Sequence, residues 1–204
     1  MVDDVLRRQF LVAPTMPRVA GTAVTLLDGS ARCSAELAIV DELRLWGGER
    51  LLFVECGHGW AAEEAWRRMM GKGCVCGVDR SSKLVAQASR LREVPGKLEF
   101  QTWDGRYLPH PDGCFDSVVS QADVRRWPQP ASVLREMRRV TRREGEIYLV
   151  EVRRRVRAGS GVGARTPDWA SLLDQAGLLL QGVRLPADAP GARILCVRHA
   201  GGSA

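Results

Sequence analysis

From Arg50 onward the chain alternates short apolar runs with segments in which apolar residues recur every three or four positions. Leu51–Val54 and Cys74–Val78 show no polar alternation, the pattern of strands buried on both faces. Ala61–Met70 reads as a helix with Glu63 and Glu64 in its first turn, where the helix dipole favours acids, and Gly71 and Gly73 end it. Ser81 or Ser82 caps a second helix that carries Leu84, Ala88 and Leu91 on one face. Lys97–Thr102 and Phe115–Ser120 read as further strands. Pro130 suits the first turn of a helix bearing Val133, Met137 and Val140. Glu146–Val152 is a fifth strand. Thr166 and Pro167 open a last helix that Gly177 stops, and strands near Leu178–Leu185 and Ala192–Val197 close the pattern.

Strand–helix alternation of this kind implies right-handed crossovers and a mostly parallel, doubly wound sheet covered on both faces. Ligands in such sheets bind at the carboxyl ends of the strands, near the point where strand order reverses. Residues 1–48 do not follow the alternation and read as an N-terminal helical cap, with the clearer helix over Ala35–Trp46. The α/β domain then spans residues 49–200. A length of 204 residues suits this single-domain organisation.

Composition narrows the class without naming a reaction. With 45% hydrophobic and 26% charged residues, the chain is neither disordered, collagenous nor coiled coil. No apolar run approaches the ~20 residues of a membrane span, and Asp3 and Asp4 argue against a secretory signal. The six cysteines, Cys33, Cys56, Cys74, Cys76, Cys114 and Cys196, form no C-x-x-C pair. They suggest no zinc site, so no metal is expected, and the setting reads as cytoplasmic. The net charge of +6 permits an anionic partner without establishing one. Only Lys72, Lys83 and Lys97 are lysines, so the arginine excess can reflect coding-sequence composition.

Two features at strand ends carry chemistry. The first strand runs into Glu55-Cys56-Gly57-His58-Gly59-Trp60-Ala61 and directly into a helix. Gly57 and Gly59 let the chain turn sharply and let a ligand approach backbone N–H groups at a helix N-terminus. Asp79 ends the second strand, 24 positions after Glu55, where a carboxylate can accept from both hydroxyls of a ribose.

With those residues in view, the chain resembles a class I S-adenosylmethionine (SAM)-dependent methyltransferase, of the small type related to ubiquinone/menaquinone methyltransferases. Glu55-x-Gly57-x-Gly59-x-Ala61 is similar to the family's acid-x-Gly-x-Gly-x-Gly loop, and Asp79 stands at its ribose-binding acid. Trp103-Asp104-Gly105 resembles the segment whose Asp meets the adenine amino group. Leu108–Ser120 is close to the family's Leu-Pro-Phe-x-Asp-x-Ser-Phe-Asp-x-Val-x-Ser stretch, and Leu134–Val140 to its Leu-x-Glu-x-x-Arg-Val helix. The likeness covers residues 49–198 and implies a Rossmann-like sheet of seven strands, SAM as cofactor and a small-molecule acceptor.

The departures are specific. Ala61 replaces the third glycine, Thr141–Gly145 replaces a Leu-Lys-Pro-Gly-Gly turn, and Arg125-Arg126 stands where many relatives carry a His pair. A second register sets Phe53 against the motif acid and Glu55 against the first glycine. The first register is preferred because it retains an acid and both glycines.

On the resemblance, Gly57 and Gly59 hold the methionine end of the cofactor, and Glu55 orders the loop and faces the ammonium. Asp79 takes the ribose diol and Arg80 packs near the adenine. Asp104 accepts from the adenine amino group, bordered by Trp103 and Gly105, and Ser120 and Gln121 lie beside the sulfonium. Methyl transfer is an in-line displacement that gains most from alignment, and a base is needed only when the acceptor is protonated. Asp123 and His58 are the candidate bases, and Arg125, Arg126 and Trp127 the candidate substrate contacts; His110 reads as an aromatic wall residue. Arg153–Arg157 is the main argument for nucleic acid. Ser120-Gln121-Ala122-Asp123 is unlike the Asn/Asp-Pro-Pro-Tyr motif of base methyltransferases, so an RNA acceptor is disfavoured. A non-catalytic binding or partner subunit on the same fold is the alternative, and the oligomeric state is not readable.

Overall fold

Strand β1 (Arg50–Val54) shows why the apolar runs lack alternation. Leu51 and Phe53 enter the core on one face of the sheet, Leu52 and Val54 the core on the other, and all four are at most 1% exposed. The computed structural model describes residues 37–121, 124, 127–152, 167–187, 189 and 192–201. After β1 follow α1 (Trp60–Arg68), β2 (Cys74–Asp79), α2 (Ser82–Arg92), β3 (Leu98–Thr102) and β4 (Phe115–Ser120). They are succeeded by α3 (Pro130–Val140), β5 (Thr141–Val152), α4 (Trp169–Ala176), β6 (Leu178–Arg184) and β7 (Ala192–His199).

These strands form one seven-stranded sheet in the order β3-β2-β1-β4-β5-β7-β6. β1 to β5 are parallel, whereas β7 runs antiparallel between β5 and β6. This is the mostly parallel, Rossmann-like sheet that the alternation and the resemblance implied. Phe53, Ala61, Ala65, Val85, Ala88 and Phe100 bring α1 and α2 onto one face. Val54, Val133, Met137, Val140, Leu173 and Ala176 bring α3 and α4 onto the other. The order reverses between β1 and β4, and there the helices switch faces, the place at which sheets of this kind bind ligands.

Local boundaries follow from caps and turns. Ser81 Oγ accepts from the Leu84 N–H (3.4 Å) and caps α2; Asp168 caps α4, which starts at Trp169, after Pro167. Gly177, at φ 66°, closes α4 in the left-handed conformation that glycine adopts without strain. The helix expected over Ala35–Trp46 is helical only over residues 37–42 within the described part. Beyond it the chain turns, and the Glu49 carboxylate, 4% exposed, accepts from the Gly47 N–H at 2.8 Å. Ile39, Val40 and Leu43 enter the core on the α1 side. Residues 1–36 of the expected cap, and with them Cys33, lie outside the described residues.

β5 begins at Thr141, five residues before the expected Glu146. Thr141 pairs with Phe115, and the register then shifts so that Glu146 meets Ser117. The stretch expected to be a turn is thus a bulged strand leaving α3 directly, tied back by Thr141 Oγ1 donating to Met137 O at 2.6 Å. Cys56, Cys74, Cys76, Cys114 and Cys196 are free thiols. Burial pushes Cys76 up to about 12 and Cys56 above that, so both behave as small core hydrophobes.

Candidate cofactor site

Backbone hydrogen bonds stitch the tips of four strands into one rim. The Cys56 N–H donates to Val78 O (3.0 Å), the Trp103 N–H to Asp79 O (3.2 Å) and the Gln121 N–H to Val54 O (3.2 Å). The segments after β1, β2, β3 and β4 are thereby held edge to edge, which brings together residues spread from Glu55 to Gln121.

Asp79 is the centre of this rim. It is 5% exposed, its Oδ2 accepts from the Gly57 N–H at 2.9 Å and its Oδ1 from the Ser81 N–H at 2.8 Å. A carboxylate oxygen has capacity for a second donor, so both can still receive a hydroxyl. A Cβ built on Gly57 would meet nothing within 4 Å, so the loop opens onto space there. One built on Gly59 would stand 2.6 Å from the Phe100 ring, which fixes the helix start against the core.

The loop's backbone corrects the preferred register. Glu55, Gly57 and Gly59 all have positive φ, at 57°, 58° and 77°, while Phe53 is a fully buried strand residue. Glu55 therefore occupies the first glycine position of the Gly-x-Gly-x-Gly turn, and Phe53 stands where the other register puts the acid. A non-glycine residue in this conformation costs about 1–2 kcal/mol. Its carboxylate holds Arg80: Arg80 Nε donates to Glu55 Oε1 at 2.6 Å. Arg80, expected near an adenine, runs past Gly105, where a Cβ would lie 2.8 Å from Arg80 Cδ.

Asp104 is exposed, and its Oδ1 accepts from the Arg106 and Tyr107 N–H groups, both at 2.8 Å. Those bonds, Tyr107 first, hold its carboxyl below the usual carboxylate range. Ser120 Oγ, Gln121 Nε2, Trp103 Nε1 and Trp127 Nε1 are buried without a hydrogen-bond partner. The buried polar atoms of Ser120 and Gln121 at the end of β4 call for a ligand or water. His58 is exposed on the loop. Asp123, Arg125 and Arg126, and the basic stretch Arg153–Arg157, lie outside the described residues. Trp60 belongs to a different place, stacked under Arg92 at 3.7 Å beside a hollow of about 530 Å³ between α1 and α2.

One functional arrangement was not readable as such from spacing. Arg139 of the Leu134–Val140 segment donates to Leu108 O (2.9 Å), His110 O (2.8 Å), Asp112 (2.7 Å) and Glu136 (2.7 Å), while Glu136 accepts from the Leu108 N–H (3.0 Å). This pair pins the 104–113 segment to α3, so two motifs far apart in sequence are one physical unit. His110 meets Phe115, the first residue of β4, edge-on at 4.9 Å. Burial, then the Arg139 and Arg50 cations, push its pKa below the ordinary value. The unfolded chain then binds more protons as pH falls through the ordinary histidine range, so stability is complete above about pH 6.5 and declines below it. Urea midpoints measured from pH 7.5 to 5 are expected to fall toward acid, and His110→Phe to flatten that slope; an unchanged slope would exclude His110 as its source.

Among the described residues no group of three or more His, Cys, Asp or Glu side chains is arranged to hold a metal ion. None of the described helices is long and apolar enough to cross a membrane.

Residues 52–149 match the family profile described as a methyltransferase domain. The chain is 35% identical over 106 residues to a phosphatidylethanolamine N-methyltransferase of Cereibacter sphaeroides, covering 50% of each protein. It is 30% identical over 145 residues to a demethylmenaquinone methyltransferase of Beutenbergia cavernae, covering 71% of this chain and 52% of that one. It spans about half the length of these curated relatives. A SAM-dependent methyltransferase structure from Aquifex aeolicus superposes with TM-score 0.69 at 18% identity, over 84% of this chain and 94% of that one, and shows the shared fold.

Proposed function

Taking residues 52–149 as a methyltransferase domain of the class I, SAM-dependent family, we propose that this protein transfers a methyl group from SAM to a small-molecule acceptor. The observation that carries the reading is Asp79: a buried carboxylate at the tip of β2, fastened to the Gly57 N–H beside a glycine turn that opens onto space. The donor set fits a nucleoside with a charged tail. Asp79 accepts from the ribose diol, Asp104 from the adenine amino group, and the N–H groups at the start of α1 face the carboxylate. The unpartnered Ser120 Oγ and Gln121 Nε2 supply polar contacts at the β4 tip.

SAM supplies an electrophilic methyl on a positively charged sulfur. The chain's contribution is to align an incoming nucleophile with that carbon and to exclude water, because positive charge disperses during transfer. Trp103 and Trp127, 4% exposed each, pack in the core on the α3 side of the sheet and back the segments that follow β3 and β4. A protonated acceptor needs a base, for which Asp123 and His58 are the candidates. The relatives' names point to a phospholipid amine and a quinone as their acceptors, and that supports a small-molecule acceptor here.

The strained Glu55 favours a second reading, a binding or partner subunit that keeps the fold without turnover. Isothermal titration with SAM and S-adenosylhomocysteine tests both. Binding of either at micromolar concentration is expected; no heat from either sinks the enzyme reading. Binding without labelled-methyl transfer to phenolic, amine or thiol acceptors moves the assignment to the second.

A further inference from the structure

The side chain of Arg80 crosses the site that Asp79 anchors. Its backbone follows Asp79 directly, its stem lies against the α-carbon of Gly105 and its guanidinium ends on Glu55. Asp79 is itself bound to the β1 loop through the Gly57 N–H and to the β3 side through the Trp103 N–H. The three corners of the nucleoside site, Glu55, Asp79 and Gly105, are thus bridged by one flexible side chain. Both partners are within reach of solvent, with side chains 34% and 14% exposed. Glu55, at positive φ, turns its carboxylate to Arg80, and Gly105 leaves no Cβ to push the Arg80 stem away.

Resting on the methyl-donor reading above, we infer that the Glu55–Arg80 ion pair is a latch over the nucleoside site, and that Arg80 must swing off Glu55 before a donor can enter. The latch selects for charge. A cationic donor offers Glu55 a replacement for the guanidinium, so the carboxylate exchanges one partner for another. A neutral nucleoside opens the same latch and leaves that exchange unmade. Apparent affinity falls by the fraction of molecules in which the latch is open. A partly exposed pair of this kind contributes up to about 1 kcal/mol, so closure weakens a neutral nucleoside by about fivefold.

The test uses calorimetric titration of the full chain with SAM and with 5′-methylthioadenosine, an uncharged nucleoside, at low and high salt. In the parent protein, raising sodium chloride from 50 to 500 mM is expected to tighten 5′-methylthioadenosine, because salt weakens the latch and has no charge on the ligand to screen. Arg80→Ala is expected to bind the neutral nucleoside about fivefold more tightly than the parent and to lose the salt response. Glu55→Gln, which keeps the side chain's shape, is expected to do the same and to lower the ratio of SAM affinity to 5′-methylthioadenosine affinity. If SAM binds the parent but Arg80→Ala leaves the neutral nucleoside unchanged, weaker or undetectable, the latch is overturned and the methyl-donor reading stands. If neither parent nor variants bind SAM, that reading falls and the latch with it.

Discussion

Asp79→Ala is expected to weaken SAM binding by about 100-fold and to destabilise the domain by about 3 kcal/mol. Two separate losses produce this. The Gly57 and Ser81 N–H groups, now bonded to the two carboxylate oxygens, lose their acceptor, and each unsatisfied donor costs about 1–3 kcal/mol when shielded from water. The cofactor loses two charge-assisted bonds from its ribose, each roughly twice a neutral one in strength. Asp79→Asn separates the losses. The amide oxygen can keep one backbone donor, while its NH2 group opposes the other and repels a hydroxyl hydrogen. It is expected to recover part of the stability and little of the binding. Calorimetry paired with urea unfolding reads both quantities, and SAM affinity within threefold of the parent in the alanine variant would remove Asp79 from the nucleoside site.

The second large effect belongs to the turn's third position. Gly59→Ala is expected to cost about 3 kcal/mol and to lower the melting temperature by roughly 6–12 °C. Gly59 holds φ 77° at the N-cap of α1, and its new Cβ would sit 2.6 Å from Phe100 Cε1 and 2.7 Å from Cζ. Phe100, 7% exposed and packed among Phe53, Val85 and Ala88, has little room to retreat. The conformational strain stays whatever the neighbour, but the clash depends on the ring. Phe100→Leu in the same chain is therefore expected to return about 1 kcal/mol beyond the sum of the single effects. Strict additivity in that double-mutant cycle would place the cost in the backbone alone.

Much of the domain was legible because its strands are buried on both faces. Parallel strands covered by helices have to be continuously apolar, so Leu51–Val54 and Cys74–Val78 announced themselves, and α3 did so through Val133, Met137 and Val140, all at most 1% exposed. Asp79 was legible because a charge ending an apolar run has to be at a strand tip. The start of β5 was not, since Thr141–Gly145 carries charges and a glycine and becomes a strand only through Phe115 and the bulge beside it. Glu55 was misplaced by one register for a related reason. An acid and a glycine at alternate positions satisfy either alignment, and only the sign of φ distinguishes them.

The amino-acid order alone determined the layers of this protein, the seven strands, the glycine turn and the carboxylate that ends β2, because periodicity, helix caps and turn residues act over a few neighbours at a time. Tertiary structure decided the rest: β7 set between β5 and β6, Arg139 fastening the 104–113 segment to α3, and Arg80 reaching Glu55 across the mouth of the site. Those pairings join residues 25 to 31 positions apart or more. They depend on where the sheet brings strand tips and helix faces together, and no local rule of propensity or spacing contains that distance.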